Sequence, residues 1–263
     1  MTALDIALIV LGGFAAGAAN AVAGGGTFFS FPALLAVGVP PVVANASNSV
    51  ALWPGSVAGA WAYRAELARF SGSLWPMVLA SLVGGVAGCL LLLAAGDARF
   101  SALIPWLLAF ATLLFAFSPQ LSSVMQAFRA RGQAAGGAAA PHNNVVIQLL
   151  VSVYGGFFGA GMGILIMASL AISGHKDVQE INALKNLLSS VVYGVTVVTF
   201  VIANAVSWPH TLVMLVAASV GGYGGARVAR SLQGPWLRRV VIAVGAVLSV
   251  YYFYQQFFAG TVS

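Results

Sequence analysis

"NAVAGGGTFFSFPALLAVG", residues 20–38, closes an apolar run that begins near residue 4 and is interrupted by three glycines at Gly24–Gly26. One crossing of about 30 Å of hydrocarbon needs only about 20 residues, so residues 4–38 are too long for a single span. The arm after the glycines, 27–38, would reach only about 18 Å as a helix. The stretch is therefore either one long tilted helix or a broken hairpin that returns to the side it came from, and the fold turns on which.

Composition fixes the solvent. Of 263 residues, 60% are hydrophobic and 6% charged, with a mean hydropathy of +0.98; soluble domains carry roughly 25% charged residues. The chain reads as an all-α polytopic membrane protein with almost nothing left over for a soluble domain. Apolar segments lie at 4–38, 42–62, 73–95, 99–118, 143–173, 178–203, 209–226 and 237–258. Lipid admits only helices or closed barrels, and these runs are far too long for barrel strands. Asp5, with no Lys or Arg ahead of the first run, points to a retained span and not a cleaved leader. Cys89, the only cysteine, can form no internal disulfide. The 11 basic residues are scattered over loops without aromatic interleaving, which excludes nucleic-acid binding and leaves them as reporters of orientation.

Residues 119–142 form the one long polar, Gly/Ala-rich connection and divide the chain into 1–118 and 143–263. A shift of 137 positions lays Gly24–Gly26 on Gly161–Gly163, Asn45–Ala46 on Asn182–Ala183, and "VGGVAG" (83–88) on "VGGYGG" (220–225). One constant offset at three places reads as an internal duplication. The second copy has the same anomaly as the first: 143–173 is too long for one span and is broken by Gly159, Gly161 and Gly163.

Loop charge chooses between the two readings of the broken segments. If both are hairpins, Arg64, Arg69, Arg129, Arg131, Lys176, Arg227, Arg230, Arg238 and Arg239 all fall on one side, taken as cytoplasmic, and Arg99 alone falls outside beside Asp97. If 143–173 crosses once, the four arginines of 227–239 face outward, against the positive-inside tendency. Hairpins are preferred. A hairpin plus three crossings is an odd repeat, so the second copy enters the membrane from the opposite side, and both termini lie outside. Two inverted-topology repeats with breaks at matching positions are the architecture of secondary transporters, with the substrate near the midplane.

The contents of such a site can be read from helical periodicity. Asn182, Lys185, Asn186, Ser189, Tyr193, Thr196 and Thr199 share one face of 178–203, while Asn45, Asn48, Ser49 and Ser56 share a face of 42–62, which Trp53–Pro54 should kink. Lys185 is the one basic residue that the orientation rule does not place. The glycine breaks at Gly25, Gly26, Gly161 and Gly163 would add helix N-termini with exposed N–H groups. Donors and a cation suit a small oxyanion; a metal ion would want carboxylates, and none lies deep in the membrane. Lys185 as a snorkelling side chain, amides as interhelical glue, and "VGGVAG" and "VGGYGG" as close-packing surfaces are the structural alternatives. His142, His175 and His210 fall at segment ends. No nucleophile, base and orienter set, no H-E-x-x-H and no ATPase motif occurs, so neither an enzyme nor a bound cofactor or metal is expected. A permease for another small anion or a metal ion, and a non-transporting membrane subunit, stay open, as do proton coupling and a homodimer.

The chain resembles the TauE/SafE family of sulfite and sulfonate exporters over essentially its whole length. The resemblance is carried by residues 20–52, by "EINALKNLLSSVVYG" (180–194), by "SWPHTLVMLVAASVGGYGGARVAR" (207–230) and by "PWLRRVVIAVGAVLSVYYFY" (235–254). It implies a transporter of the plasma membrane that moves small sulfur oxyanions or organosulfonates such as sulfoacetate, usually outward, by alternating access. Where many relatives carry a lysine after the first-half asparagine-rich turn, this chain has Asn48–Ser49, which leaves Lys185 as the only deep cation.

Overall fold

The computed structural model describes residues 1–68, 74–134, 141–173, 175, 177–229 and 234–258, with side chains except at 21–23, 119, 121–134, 141–144, 178, 225–229 and 234–237. Among the described residues every regular element is a helix. Arg69, Lys176 and Arg230, on which part of the charge count rests, lie outside the described residues, as do the side chains of Arg129, Arg131, Arg227 and His142.

Helix α1 (Ala3–Ala23) opens on a capping box, in which Thr2 accepts from Asp5 N and the Asp5 carboxylate accepts from Thr2 N. It stops at Gly24, whose φ of 74° is a left-handed conformation that glycine adopts without steric cost. Helix α2 (Thr27–Ala36) then folds back on it: a Cβ built at Gly12 would collide with Ala33 and lie 3.1 Å from Phe29 O. In one continuous helix, residues 12 and 33 would be about 30 Å apart. The first broken segment is a hairpin.

The second break is built alike. Helix α6 (Pro141–Phe157) ends before Gly159 (φ 80°) and Gly161 (φ 77°), and α7 (Met162–Ile172) follows. Val151 of α6 lies in one apolar cluster with Ile166 and Leu170 of α7, which sets α7 alongside α6 instead of beyond its end. Gly24 and Gly161, the left-handed residues directly at the two breaks, are corresponding positions under the 137-residue offset.

The remaining helices are α3 (Pro41–Ala62), the single turn α4 (Arg64–Leu67), α5 (Trp75–Ala134), α8 (Val178–Ile202), α9 (Trp208–Ala229) and α10 (Gly234–Phe257). Helix α3 runs on through Pro54. Helix α5 is two helices joined at Gly96, with φ 68° and ψ 175°. Beyond residue 118, where a polar connection was expected, it continues to Ala134. Pro119 has no N–H to return to Phe115 O. That carbonyl accepts instead from Ser118 Oγ at 3.0 Å and from Arg238 Nε at 2.9 Å, while Arg238 Nη2 donates to Ala116 O at 2.7 Å. A donor from α10 thus repairs the ladder that the proline opens.

Glycines set the closest helix contacts. A Cβ at Gly84 would lie 2.5 Å from Leu149 O, and one at Gly88 would collide with the Val153 carbonyl, so α5 lies backbone to backbone on α6. The corresponding contact joins α9 to α1, with Gly221 against the Phe14 carbonyl and Gly17 against that of Ala218. "VGGVAG" is therefore a packing surface, and so is the described part of "VGGYGG". Helices α3 and α8 pack on each other between these two pairs.

Among the described residues the membrane-spanning faces are apolar outside, as lipid requires, and the interior combines an apolar core with buried polar side chains. Ile202 is 76% exposed and Val250 69%, whereas Asn45 and Asn48 are each 1% exposed. Ala3–Asn20, Trp75–Ser118, Gln179–Ile202 and Arg238–Phe257 are long and apolar enough to cross a membrane. Grooves on the outer faces of α1/α9 and of α10 are lined by Val, Leu, Phe, Ala and Tyr only.

Candidate substrate site

The polar residues of α3 turn to three different partners. Asn45 Nδ2 donates to Phe157 O at the end of α6 at 3.1 Å, and its Oδ1 is buried with no partner among the described residues. Ser49 Oγ donates to Asn45 O, one turn back, at 3.0 Å. Asn48 faces α2: its Nδ2 donates to Thr27 Oγ1 at 3.4 Å, and its Oδ1 accepts from Ser30 Oγ, which also lies 3.1 Å from Gly26 O. Asn48 is therefore satisfied at both ends of its amide. Thr27 and Ser30 were not singled out in the sequence. The signal for them was the hydroxyl spacing directly after the glycine run, "GGGTFFS", which is one turn of helix.

Helix α8 presents the other stripe. Asp177 caps it by accepting from Gln179 N at 2.9 Å, just as Asp97 of α5 accepts from the corresponding Val42 N of α3 at 2.8 Å. Asn182, Lys185 and Asn186 are half-buried and Ser189 is 7% exposed. Asn186 packs on Gly59 of α3, with its Cγ 3.1 Å from where a Cβ there would sit. At the crossing of the two helices Trp53 Nε1 donates to Ser190 O at 3.2 Å, and the two residues are 137 apart in sequence. Each is thus the other's counterpart under the repeat offset.

Lys185 runs past the start of α7, with its Cδ 3.6 Å from a Cβ position built on Gly163. Side chains on a helix tilt toward its N-terminus, so a lysine snorkelling back to the start of α8 would lie beside the last turn of α7. It lies instead beside the opposite end of that helix, about 13 Å along its axis. The turn that it meets is unfinished. Helix α7 starts without a side-chain cap, and its first backbone bonds run from Met162 N to Gly159 O and from Ile164 N and Leu165 N to Gly161 O. None runs from Gly163 N among the described residues. The Lys185 side chain thus runs beside the positive end of a helix. The single contact of salt-bridge geometry among the described residues is that of His175 Nδ1 with Glu180 Oε1, at 2.5 Å, and it does not include Lys185.

The other glycines serve packing. A Cβ at Gly25 would press on Phe115 and Val241 at 2.9 and 3.0 Å, and one at Gly26 would lie 2.7 Å from Ala16 O. Gly161 supplies the left-handed turn against Ala111 and Leu114. Three carbonyls around the second break accept from side chains: Gly156 O from Cys89 Sγ of α5 at 3.6 Å, Phe157 O from Asn45 of α3, and Ala160 O from Tyr154 OH of α6 itself at 2.5 Å.

Comparison with known proteins agrees with a membrane transporter. The family model described as sulfite exporter TauE/SafE matches residues 9–252. A "probable membrane transporter protein" of Haemophilus influenzae is 24% identical over 258 residues, 95% of each chain. "Probable membrane transporter protein ORF9" of Sinorhizobium sp is 26% identical, over 93% of this chain and 91% of that protein. "Probable membrane transporter protein YfcA" of Escherichia coli K12 is 26% identical, over 92% of this chain and 87% of that one. No solved structure matches.

Proposed function

The chain belongs to the sulfite exporter TauE/SafE family of membrane transporters, and on that premise we propose that it exports a small sulfur-containing anion, sulfite or an organosulfonate, by alternating access. The observation that carries the proposal is the Lys185 side chain laid against Gly163 at the uncapped start of α7. Two positive elements side by side, without a carboxylate, repel each other until an anion comes between them. Lys185, the Gly163 N–H, Asn182, Asn186 and Ser189 form the second-half side of the site. Asn48 joins it when α2 shifts and frees it from Thr27 and Ser30, and Asn45 and Ser49 complete it when their bonds to Phe157 O of α6 and to Asn45 O of α3 itself also exchange. Gly25, Gly26 and Gly161 shape the breaks around it.

Several features support two repeats that move against each other. The pairing of α1 with α9 becomes that of α6 with α5 under the 137-residue offset, and Trp53 meets its own counterpart at the centre. Export needs no energy-coupling domain on this reading. Each negative charge leaving an inside-negative cell gains about 2.3 kcal/mol per 100 mV, roughly a fortyfold gradient. The end bearing Arg64, Arg238 and Arg239 faces the cytoplasm of the inner membrane, with both termini outside. The chain acts as a carrier and not as an enzyme.

Counterflow in proteoliposomes across sulfite, thiosulfate, sulfoacetate, taurine and sulfate tests the assignment. Exchange of sulfite or a sulfonate, accelerated by an outward-driving potential, is expected. Exchange of none of the five would refute it.

A further inference from the structure

Ala160 lies between the two left-handed glycines of the second break, Gly159 (φ 80°) and Gly161 (φ 77°), and is 1% exposed. Its carbonyl accepts from the hydroxyl of Tyr154, six residues back on α6, at 2.5 Å. In a continuing helix residue 160 would stand about 9 Å further along the axis, and the tyrosine would tilt away from it. The bond can therefore form only where the chain doubles back at Gly159. Tyr154 also holds the near side of the turn, since its own carbonyl accepts from Phe158 N at 2.9 Å and from Gly159 N at 3.3 Å. One residue thus fastens the backbone just before each glycine of the turn. The first break cannot be fastened this way: the residue 137 positions back is Gly17, whose bare Cα lets α1 lie against Ala218 O.

We propose that Tyr154 is a positioning residue: its hydroxyl holds the turn at Ala160 and so aims the start of α7 at Lys185, where the anion is received. This rests on the anion being held between Lys185 and that helix start, as proposed above. Ala160 O and Gly161 N belong to one peptide plane, so a donor that holds the oxygen sets the direction of the chain as it enters α7. Two of the first backbone bonds of α7, from Ile164 N and Leu165 N, end on Gly161 O, the next carbonyl along. Lys185 passes Gly163 two residues further on, its Cδ 3.6 Å from a Cβ position there. Release of Ala160 O leaves the two glycines free to turn and lets the helix start swing relative to the lysine. The ring has a separate duty, packing edge-on against Phe110 of α5 with centroids 5.5 Å apart, and a phenylalanine would keep it.

The test compares full-length wild type, Tyr154→Phe and Phe110→Leu, first by deuterium uptake over residues 162–168 with no anion present, then by sulfite and sulfoacetate counterflow. Uptake at the start of α7 is expected to quicken about fivefold in Tyr154→Phe, the equivalent of one hydrogen bond, and to stay at the wild-type rate in Phe110→Leu, which disturbs the ring and keeps the hydroxyl. Helices α1 and α9 should keep their protection in both. In counterflow Tyr154→Phe is expected to raise half-saturation about fivefold with turnover within about twofold, because the hydroxyl shapes the place that receives the anion and not the element that moves. Wild-type uptake in Tyr154→Phe, or lost turnover with unchanged half-saturation, would overturn the proposal. Loss of protection throughout the Tyr154→Phe protein would overturn it as well, since the hydroxyl would then hold the fold and not the turn. Quickened uptake confined to α7 in proteins that carry neither anion would uphold the fastening of the break and refute the substrate assignment, which keeps the two failures apart.

Discussion

Asn48 and Lys185 occupy corresponding places 137 residues apart, each on the central helix of its half and each facing the short arm beyond a glycine break, yet their surroundings are opposite. Asn48 is 1% exposed, donates to Thr27 and accepts from Ser30. Lys185 meets Gly163, which has no side chain to offer, at a helix start that is itself short of acceptors. The same frame thus holds a satisfied amide in one half and, in the other, a lysine that makes no ion pair among the described residues. Buried polar groups that serve stability find partners within the protein. Lys185 makes no ion pair among the described residues, and under the proposed function it is from this half that the anion would be held.

If the halves share a frame, the largest effects should be alike in both. Gly84→Leu and Gly221→Leu each drive a side chain into a backbone carbonyl of the partner helix, Leu149 and Phe14 respectively. Each is expected to cost about 3 kcal/mol or more and to abolish monodisperse protein on size exclusion. A Gly221→Leu protein as stable as wild type would break the correspondence.

Opposite signs are expected where the halves differ. Asn48→Ala removes the amide that links Thr27 to Ser30, which keeps only its bond to Gly26 O, and should lower stability by about 1–2 kcal/mol, read as a drop in Tm in detergent. Lys185→Met removes a charge that has no ion pair among the described residues and should leave Tm unchanged or raised. A Lys185→Met protein destabilised as much as Asn48→Ala would make the lysine a structural residue like its counterpart. A smaller effect should sharpen the site. A Cβ at Gly163 would stand 3.6 Å from Lys185 Cδ, an ordinary contact, so Gly163→Ala should fold normally. It should weaken anion half-saturation by about fivefold by crowding the space between the start of α7 and the lysine.

The frame was largely legible in the sequence because its determinants are local. Apolar length fixed the helices to within a few residues, and glycine runs marked both breaks because a left-handed φ at Gly24 and Gly161 is a property of those residues themselves. Helix α5 was cut short at 118 because the donor that carries it past Pro119 comes from Arg238 on another helix, about 120 residues away. The site was legible by half. Periodicity put Asn182, Lys185, Asn186 and Ser189 on one face, and a constant offset paired them with the asparagines of α3. It gave no means of knowing that Asn48 is consumed by Thr27 and Ser30, that Asn45 is turned to Phe157 O, or that Lys185 reaches along α7 to its start. Those facts depend on how α2 and α7 fold back, which a one-dimensional pattern does not contain.

The central claim is that the cation of the second half holds the anion, and it is tested most directly by sulfite and sulfonate counterflow with wild type, Lys185→Arg and Lys185→Met reconstituted at equal, verified folded amounts. The account predicts exchange by wild type, reduced exchange by Lys185→Arg because the charge is kept but the geometry altered, and none above empty liposomes by Lys185→Met. Wild-type exchange by a correctly folded Lys185→Met protein would contradict it.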